Sequence, residues 1–518
     1  MRQVNSLLRP YICPSCRRGS QYRGRRTLSS LAETPDVYDV VCVGGGPAGL
    51  ALAAALRASP ITSKLRVALI ESQDLSKSRS WSLKPDEYSN RCSSLTPTSV
   101  AFLQKIGAWK HVDRSRVQQY HEMKVWDGQT GSKISFDWSV DTSPFEDVRS
   151  VATMTENANL VRGLLSRIGE VDDDGRLSIF SNTTVSSIEN GSKIVEEEGD
   201  GPDLSAWPVL SLSSSVSPTP KKPIAARLLV GADGINSPVR SFADITTNGW
   251  DYGRHGVVAT LSLAESAASS LLPDSRTAYQ RFLPSLGGPI AILPLPNNKA
   301  SLVWSTKMEN AVYLKSLPQE AFIAMVNAAF RLSMVDLGYM LGLDPAAKSD
   351  KPTSSGNLLS QHEDELNWRL EHIPTQPPSN LPPLVTAVQD KTVASFPLRF
   401  RHASSYISPR VALVGDAAHV IHPLAGQGLN LGIGDVAALT DTIEYAVMHG
   451  MDIGDHLSLE KYMADRYLTN AKVGGMCDVL HKLYNVPGNG PVTWARSLGL
   501  DVIDKLPWVK GFIMKQAE

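Results

Sequence analysis

Apolar and β-branched positions along the chain gather into short runs, and several of these runs stop at a glycine or an acid. Tyr38-Asp-Val-Val-Cys-Val43 enters Gly44-Gly-Gly-Pro-Ala-Gly49 and is followed by an alanine- and leucine-rich stretch, Leu50 to Leu56. The pattern predicts a buried strand, a glycine turn and a helix. Arg66 to Ile70, Ala225 to Val230 and Arg410 to Val414 repeat the same signature and end at Glu71, at Gly231-Ala-Asp-Gly234 and at Gly415-Asp416. Pro238 fits the first turn of a helix, and another helix is expected from near Leu429. Alternation in Val257 to Leu263 and in Ala300 to Ser305 predicts antiparallel strands, while His456 to Tyr484 reads as helical. Glu196 to Pro223 and about Asp344 to Pro383, rich in Pro, Ser and acids, are expected to be insertions or mobile loops. The most apolar run, Val41 to Leu56, is broken by glycines and Pro47 and is too short to span a bilayer.

At 518 residues the chain exceeds what one core usually holds, so at least two intertwined domains are expected. Lys+Arg 51 against Asp+Glu 52 removes any global attraction to nucleic acid. Five cysteines argue against a disulfide framework and for a reducing compartment. No metal is expected, because His, Cys and carboxylates nowhere cluster at ligand spacing beyond the extreme N-terminus. Before Glu33 there are seven arginines, no lysine and no acid, the composition of a mitochondrial transit peptide. Cys13-Pro-Ser-Cys16 lies within it and is expected to leave with it, cleavage falling near residue 30.

The glycine segments carry the chemistry. A strand–turn–helix around GGGPAG suits a dinucleotide: Gly44 for the tight turn, Gly46 for close approach of a pyrophosphate, Gly49 for helix–strand packing. Phosphates then meet the positive helix start. Glu71, at the end of the second strand, is placed for ribose hydroxyls and disfavours a 2′-phosphate, pointing to FAD or NAD rather than NADP. Asp233 and Gly234 fall in a second strand-to-helix turn, and Asp416 can accept from a sugar-alcohol hydroxyl. The loop Pro423-Leu-Ala-Gly-Gln-Gly428 before a helix offers N–H groups to the anionic side of a reduced flavin. His419 and His422 stand either as catalytic groups or as residues that orient this loop.

GGGPAG, GADGINSPVR (231–240) and GDAAHVIHPLAGQGLN (415–430) resemble the FAD fingerprint, DG motif and GD motif of the group A flavoprotein aromatic hydroxylases, relatives of para-hydroxybenzoate hydroxylase. NRCSSLTPTSVAFLQKIGAW (90–109) and FLPSLGGPIAILPLP (282–296) are similar to the ubiquinone-biosynthesis members, and the leader makes the mitochondrial branch the nearest match. The resemblance implies an α/β fold: a Rossmann-like (GR2-type) FAD-binding domain interleaved with an antiparallel β-sheet substrate domain, and a helical C-terminus. The expected division is 1–32 leader; 38–110, 150–240 and 400–450 FAD-binding; 111–149 and 241–399 substrate-binding, with an insertion at 344–383; and 451–518 helical.

It further implies FAD held by Gly44, Gly46, Gly49, Glu71, Arg91, Asp233, Gly234, Asp416, Gly426, Gly428 and Asn430, with Pro423, Gly426, Gln427 and Gly428 bordering the flavin ring. An ordinary surface salt bridge is the other reading of Arg91. The implied reaction is hydroxylation of carbon 5 of a 3-polyprenyl-4-hydroxybenzoate by a flavin hydroperoxide formed with dioxygen. Electrons are expected from ferredoxin and ferredoxin reductase, with NAD(P)H as the alternative. The implied setting is a complex with other ubiquinone-biosynthesis proteins, peripheral on the matrix side of the mitochondrial inner membrane. The competing reading is a group A hydroxylase of a soluble phenolic or kynurenine-type substrate. The lysine-flanked Trp508 and Phe512 either rest on a membrane surface or pack as an ordinary tail.

Overall fold

The computed structural model describes residues 34–137, 150–172, 174–191, 193–196, 199–216, 221–265, 277–352, 358–373, 381–423, 426–485 and 490. The expected leader and the Lys505 to Lys515 tail lie outside the described residues.

The apolar runs form a sheet whose five parallel strands lie in the order Val411–Leu413, Ile224–Gly231, Asp36–Val43, Val67–Ile70 and Leu177–Phe180. Their side chains are fully buried at Val40, Val41, Val67, Leu69, Leu229 and Val230, as near-continuous apolar strands require when helices cover both faces. Helices Pro47–Ala58, Asn157–Val171 and Gly428–Met448 contribute to the same core. From the Asp36–Val43 strand the chain first builds outward on one side and later returns to the other. The switch point therefore falls between Asp36–Val43 and Ile224–Gly231, where open α/β sheets bind ligands.

A second sheet of nine strands, mostly antiparallel, is built around Thr247–Leu263, Thr277–Leu283, Gly288–Leu295, Lys299–Lys307 and Ala394–Ala403. One face packs on helices Met308–Ser316 and Gln319–Arg331 through Val257, Leu302, Trp304, Phe322 and Phe330. The strand Ala394–Ala403 runs across position 400, where the sequence reading placed a domain limit. A small cluster of Tyr88, Tyr120, Met154, Ala278 and Leu295 joins this sheet to the three-stranded one formed by Cys92–Leu95, Gln118–Tyr120 and Ala152–Glu156.

The two polar stretches read as loops contain regular structure where described. Pro208–Ser214 is a strand pairing with Thr183–Asn190, because Pro208, Leu210 and Leu212 alternate into the core under a serine-rich exterior. Gln361–His372 is a helix capped by the Ser360 side chain, anchored by buried His362 and Leu366. Its His362 Nε2 meets the Tyr313 hydroxyl at 2.6 Å.

Candidate functional site

The parallel strands bring all three glycine segments to one edge. Val43 pairs with Gly231, and Gly231 with Leu413, so the chain leaves three neighbouring strands at Gly44, Ala232 and Val414. Backbone bonds from Ala232 N to Val43 O (2.8 Å) and from Val414 N to Gly231 O (2.9 Å) lock the exits together. The third segment then crosses over: His419–Val420 pairs with Arg401 and His402 of the antiparallel sheet. The GD turn is thus shared by both sheets, and the loop after it runs between them.

The three loop glycines differ in what surrounds them. At Gly44 (φ +111°) a Cβ would lie 2.2 Å from Ala232 O, and at Gly49 it would lie 1.9 Å from Gly44 O, so both are demanded by packing of the protein on itself. At Gly46, the N-cap of helix Pro47–Ala58, a Cβ would meet no atom within 4 Å. No protein atom demands a glycine there, and the open space leaves room for a ligand. Glu71 Oε2 accepts from Gly45 N at 2.5 Å and Oε1 from Gln73 N at 2.7 Å, which places the carboxylate on the rim of the glycine turn.

Asp233 accepts from Val239 N at 3.2 Å through Oδ2, while its buried Oδ1 has no partner. Burial pushes its carboxyl above the ordinary range, against the hydrogen bonds from Ser237 and Val239. A buried acceptor without a donor is costly unless a bound group supplies one. Asp416, by contrast, opens to solvent from the turn Gly415–Ala417, and the surrounding protein raises its carboxyl, opposed by His419. The open space at Gly46, the orphaned Asp233 oxygen and the Glu71 carboxylate on the rim of the glycine turn fit FAD.

The loop ending at Gln427 leads into helix Gly428–Met448, whose start carries the positive end of the helix dipole. Leu424 and Ala425 lie outside the described residues. Asn430 makes its side-chain hydrogen bonds to protein: Nδ2 to Ser94 O (2.8 Å) and Gly426 O (3.3 Å), Oδ1 from Thr96 N (3.0 Å). It therefore pins the loop to the strand Cys92–Leu95 and the following helix start. Arg91 stands exposed at the head of that strand, with no ion pair among the described residues.

Both histidines of the third segment are buried. His419 Nε2 lies 2.6 Å from Asp435. His422 packs with Tyr252 and His481, ring centroids 5.1 and 4.5 Å away, and burial drives it down to about 3.

Four important residues were not singled out from sequence. Arg240 reaches Ile235 O (2.6 Å) and Ala417 O (2.8 Å), tying the second glycine segment to the third. Asp435, Arg466 and Asn470 form a buried network beneath the GD turn. The available signal was an acid inside an otherwise apolar helix, since unpaired acids are rarely fully buried.

The FAD binding domain family matches residues 37–312 and 371–473. Solved structures with the same fold include p-nitrophenol 4-monooxygenase PnpA from Pseudomonas putida (TM-score 0.60, 18% identity, 93% of this chain and 99% of that one). Another is PqsL, a probable FAD-dependent monooxygenase from Pseudomonas aeruginosa (TM-score 0.58, 20% identity, 90% and 99%). Fold and crevice together define an FAD-dependent monooxygenase. Over 92% of its length the chain is 38% identical to 91% of "Ubiquinone biosynthesis monooxygenase COQ6, mitochondrial" of Schizosaccharomyces pombe. It is 39% identical to the Saccharomyces cerevisiae protein of that name over 95% of both chains, and 33% identical to the human one over 94% and 93%. The chain belongs to the COQ6 family of ubiquinone biosynthesis monooxygenases.

Proposed function

We propose that this chain hydroxylates carbon 5 of a 3-polyprenyl-4-hydroxybenzoate, in mitochondria and peripherally on the matrix side of the inner membrane. The observation that supports it best is the shared GD turn, which joins the cofactor crevice to the antiparallel sheet where an aromatic substrate would lie. Gly44, Gly46 and Gly49 would hold the FAD pyrophosphate, Glu71 the adenosine ribose, Arg91 the phosphate region and Asp416 the ribityl chain. Asp233 and Gly234 would line the same crevice, and Pro423, Gly426, Gln427 and Gly428 the flavin ring. When bound and reduced, FAD would supply the electrons that activate dioxygen, one oxygen atom going to the electron-rich ring and the other leaving as water.

The chain's own residues position and shield. The helix start at Gly428 faces the flavin loop and favours negative charge there without reorganising. Burial beside Tyr252 lowers the pKa of both His422 and His481 and favours their neutral forms. Tyr484 stacks on Phe282 at 3.8 Å and ties the end of helix His456–Tyr484 to the antiparallel sheet.

Purified protein given prenylated and unprenylated 4-hydroxybenzoates, with either reductant, is expected to add one oxygen atom to the prenylated acid alone. Preference for the unprenylated acid would move the reading to a soluble phenolic substrate. Ferredoxin and ferredoxin reductase are the proposed electron source, as the resemblance to the mitochondrial ubiquinone-biosynthesis hydroxylases implies, with NAD(P)H as the alternative. Anaerobic reduction of the flavin by NADPH alone, at the turnover rate, would overturn that choice. Association with other ubiquinone-biosynthesis proteins is expected to appear on co-purification from mitochondria.

A further inference from the structure

The Asp416 side chain has no hydrogen bond to any described residue, so no neighbouring side chain orients it and the backbone turn that carries it decides where its Cβ sits and from where its carboxylate reaches. Both ends of that turn are tied to one carboxylate. Gly415 N donates to Asp435 Oδ2 at 3.0 Å, and His419 Nε2 lies 2.6 Å from the same oxygen. The other oxygen, Oδ1, receives Arg466 Nε at 2.9 Å and Asn470 Nδ2 at 2.8 Å, both from the C-terminal helix His456–Tyr484. Arg466 Nη2 also binds Leu431 O (3.2 Å) and Asn470 Oδ1 (2.8 Å), closing the ring of contacts.

The helix that carries Asp435 is shaped for this. Glycine is unfavourable inside a helix, yet Gly432 and Gly434 flank Asp435 closely. A Cβ at Gly432 would come 3.3 Å from Gly415 Cα, and one at Gly434 would come 2.7 Å from Arg466 Nη2. Both glycines clear the space through which Asp435 reaches its partners. A carboxylate with no solvent exposure is tolerated only when paired and fully hydrogen-bonded. Burial raises its pKa, but His419, Arg466 and Asn470 outweigh that and hold the group below the ordinary carboxylate range.

We infer that Asp435 is a positioning residue for FAD: it fixes the Gly415–Ala417 turn, and so aims Asp416, with Arg466 and Asn470 as its outer supports. This rests on the assignment of Asp416 to the ribityl chain. The C-terminal helix, which carries no glycine fingerprint, thereby becomes part of the cofactor site.

The test is FAD affinity of the apoprotein, read by flavin fluorescence, with far-UV circular dichroism as the check on folding. Asp416→Ala and Asp435→Asn are each expected to weaken FAD roughly tenfold, and Asn470→Ala by a few-fold, the scale of one hydrogen bond to a charged group. The double variant Asp416→Ala/Asp435→Asn is expected to be little weaker than either single, since both act through one contact. Additive losses would mean that Asp435 only supports the fold and would overturn the inference. If Asp435→Asn does not fold, the Asn470→Ala and Asp416→Ala cycle carries the same test. A weakened Asp416→Ala beside unweakened Asp435→Asn and Asn470→Ala sinks the positioning role alone. An unweakened Asp416→Ala sinks the ribityl assignment and the route with it.

Discussion

Gly46 separates the needs of the fold from those of the cofactor. Its backbone (φ −71°, ψ 179°) suits any residue, and it occupies an N-cap, where Asp is among the best residues. Gly46→Asp should therefore leave the apoprotein as stable or a few tenths of a kcal/mol more stable, while its carboxylate repels the pyrophosphate. Thermal melts of apoprotein beside FAD titrations check this; loss of apo stability would mean that packing dictates the glycine. Histidine burial gives a second prediction. His422 is held down to about 3 and His481 to about 4, chiefly by burial. Unfolded histidine protonates near pH 6.5 while these do not, so the unfolded state binds more protons and stability falls with pH below that point. The loss between pH 7 and 5.5 should be about 2 kcal/mol for the pair, and denaturant melts of His481→Gln should show roughly half that slope.

Among the elements, the strands ahead of the glycine turns were legible because each is a short apolar run ending in a glycine or an acid. The helix His456–Tyr484 was legible for the same local reason. Pro208–Ser214 was hidden, since a strand with serines on its outer face looks like a polar loop. Asn430 shows a similar limit: its place in the third fingerprint was readable, but its bonds to Ser94 and Thr96 span more than three hundred positions. Asn430→Ala leaves Ser94 O and Thr96 N short of a partner. It should cost about 2 kcal/mol and loosen the flavin loop, seen as faster amide hydrogen exchange around Gly426 with the parallel strands unchanged.

For the whole molecule, the three glycine segments leave neighbouring strands at one edge, so FAD held as proposed would contact parts of the chain that meet only in the folded state. Ligand that binds only the native state stabilises it by mass action, so FAD at about a hundred times its Kd should add about 2.7 kcal/mol. Calorimetry of apo and loaded protein measures this, and a single shifted transition is the expected form. The candidate site was largely readable as three motifs. What joins them was not, because Arg240 and Asp435 act on residues brought close only by the fold.

The strand order also governs what happens to an incomplete chain. Val411–Leu413 is the last parallel strand to be added and the one that pairs with Ile224–Gly231 at its Leu229–Gly231 end, beyond the pairing of Pro208–Ser214 at Ile224 and Ala225. A polypeptide stopped by a premature termination codon before that point keeps the apolar Ile224–Gly231 strand with an uncovered row of amides and carbonyls, a template for pairing with another copy. Such truncated products are bound for aggregation or protease clearance rather than partial activity.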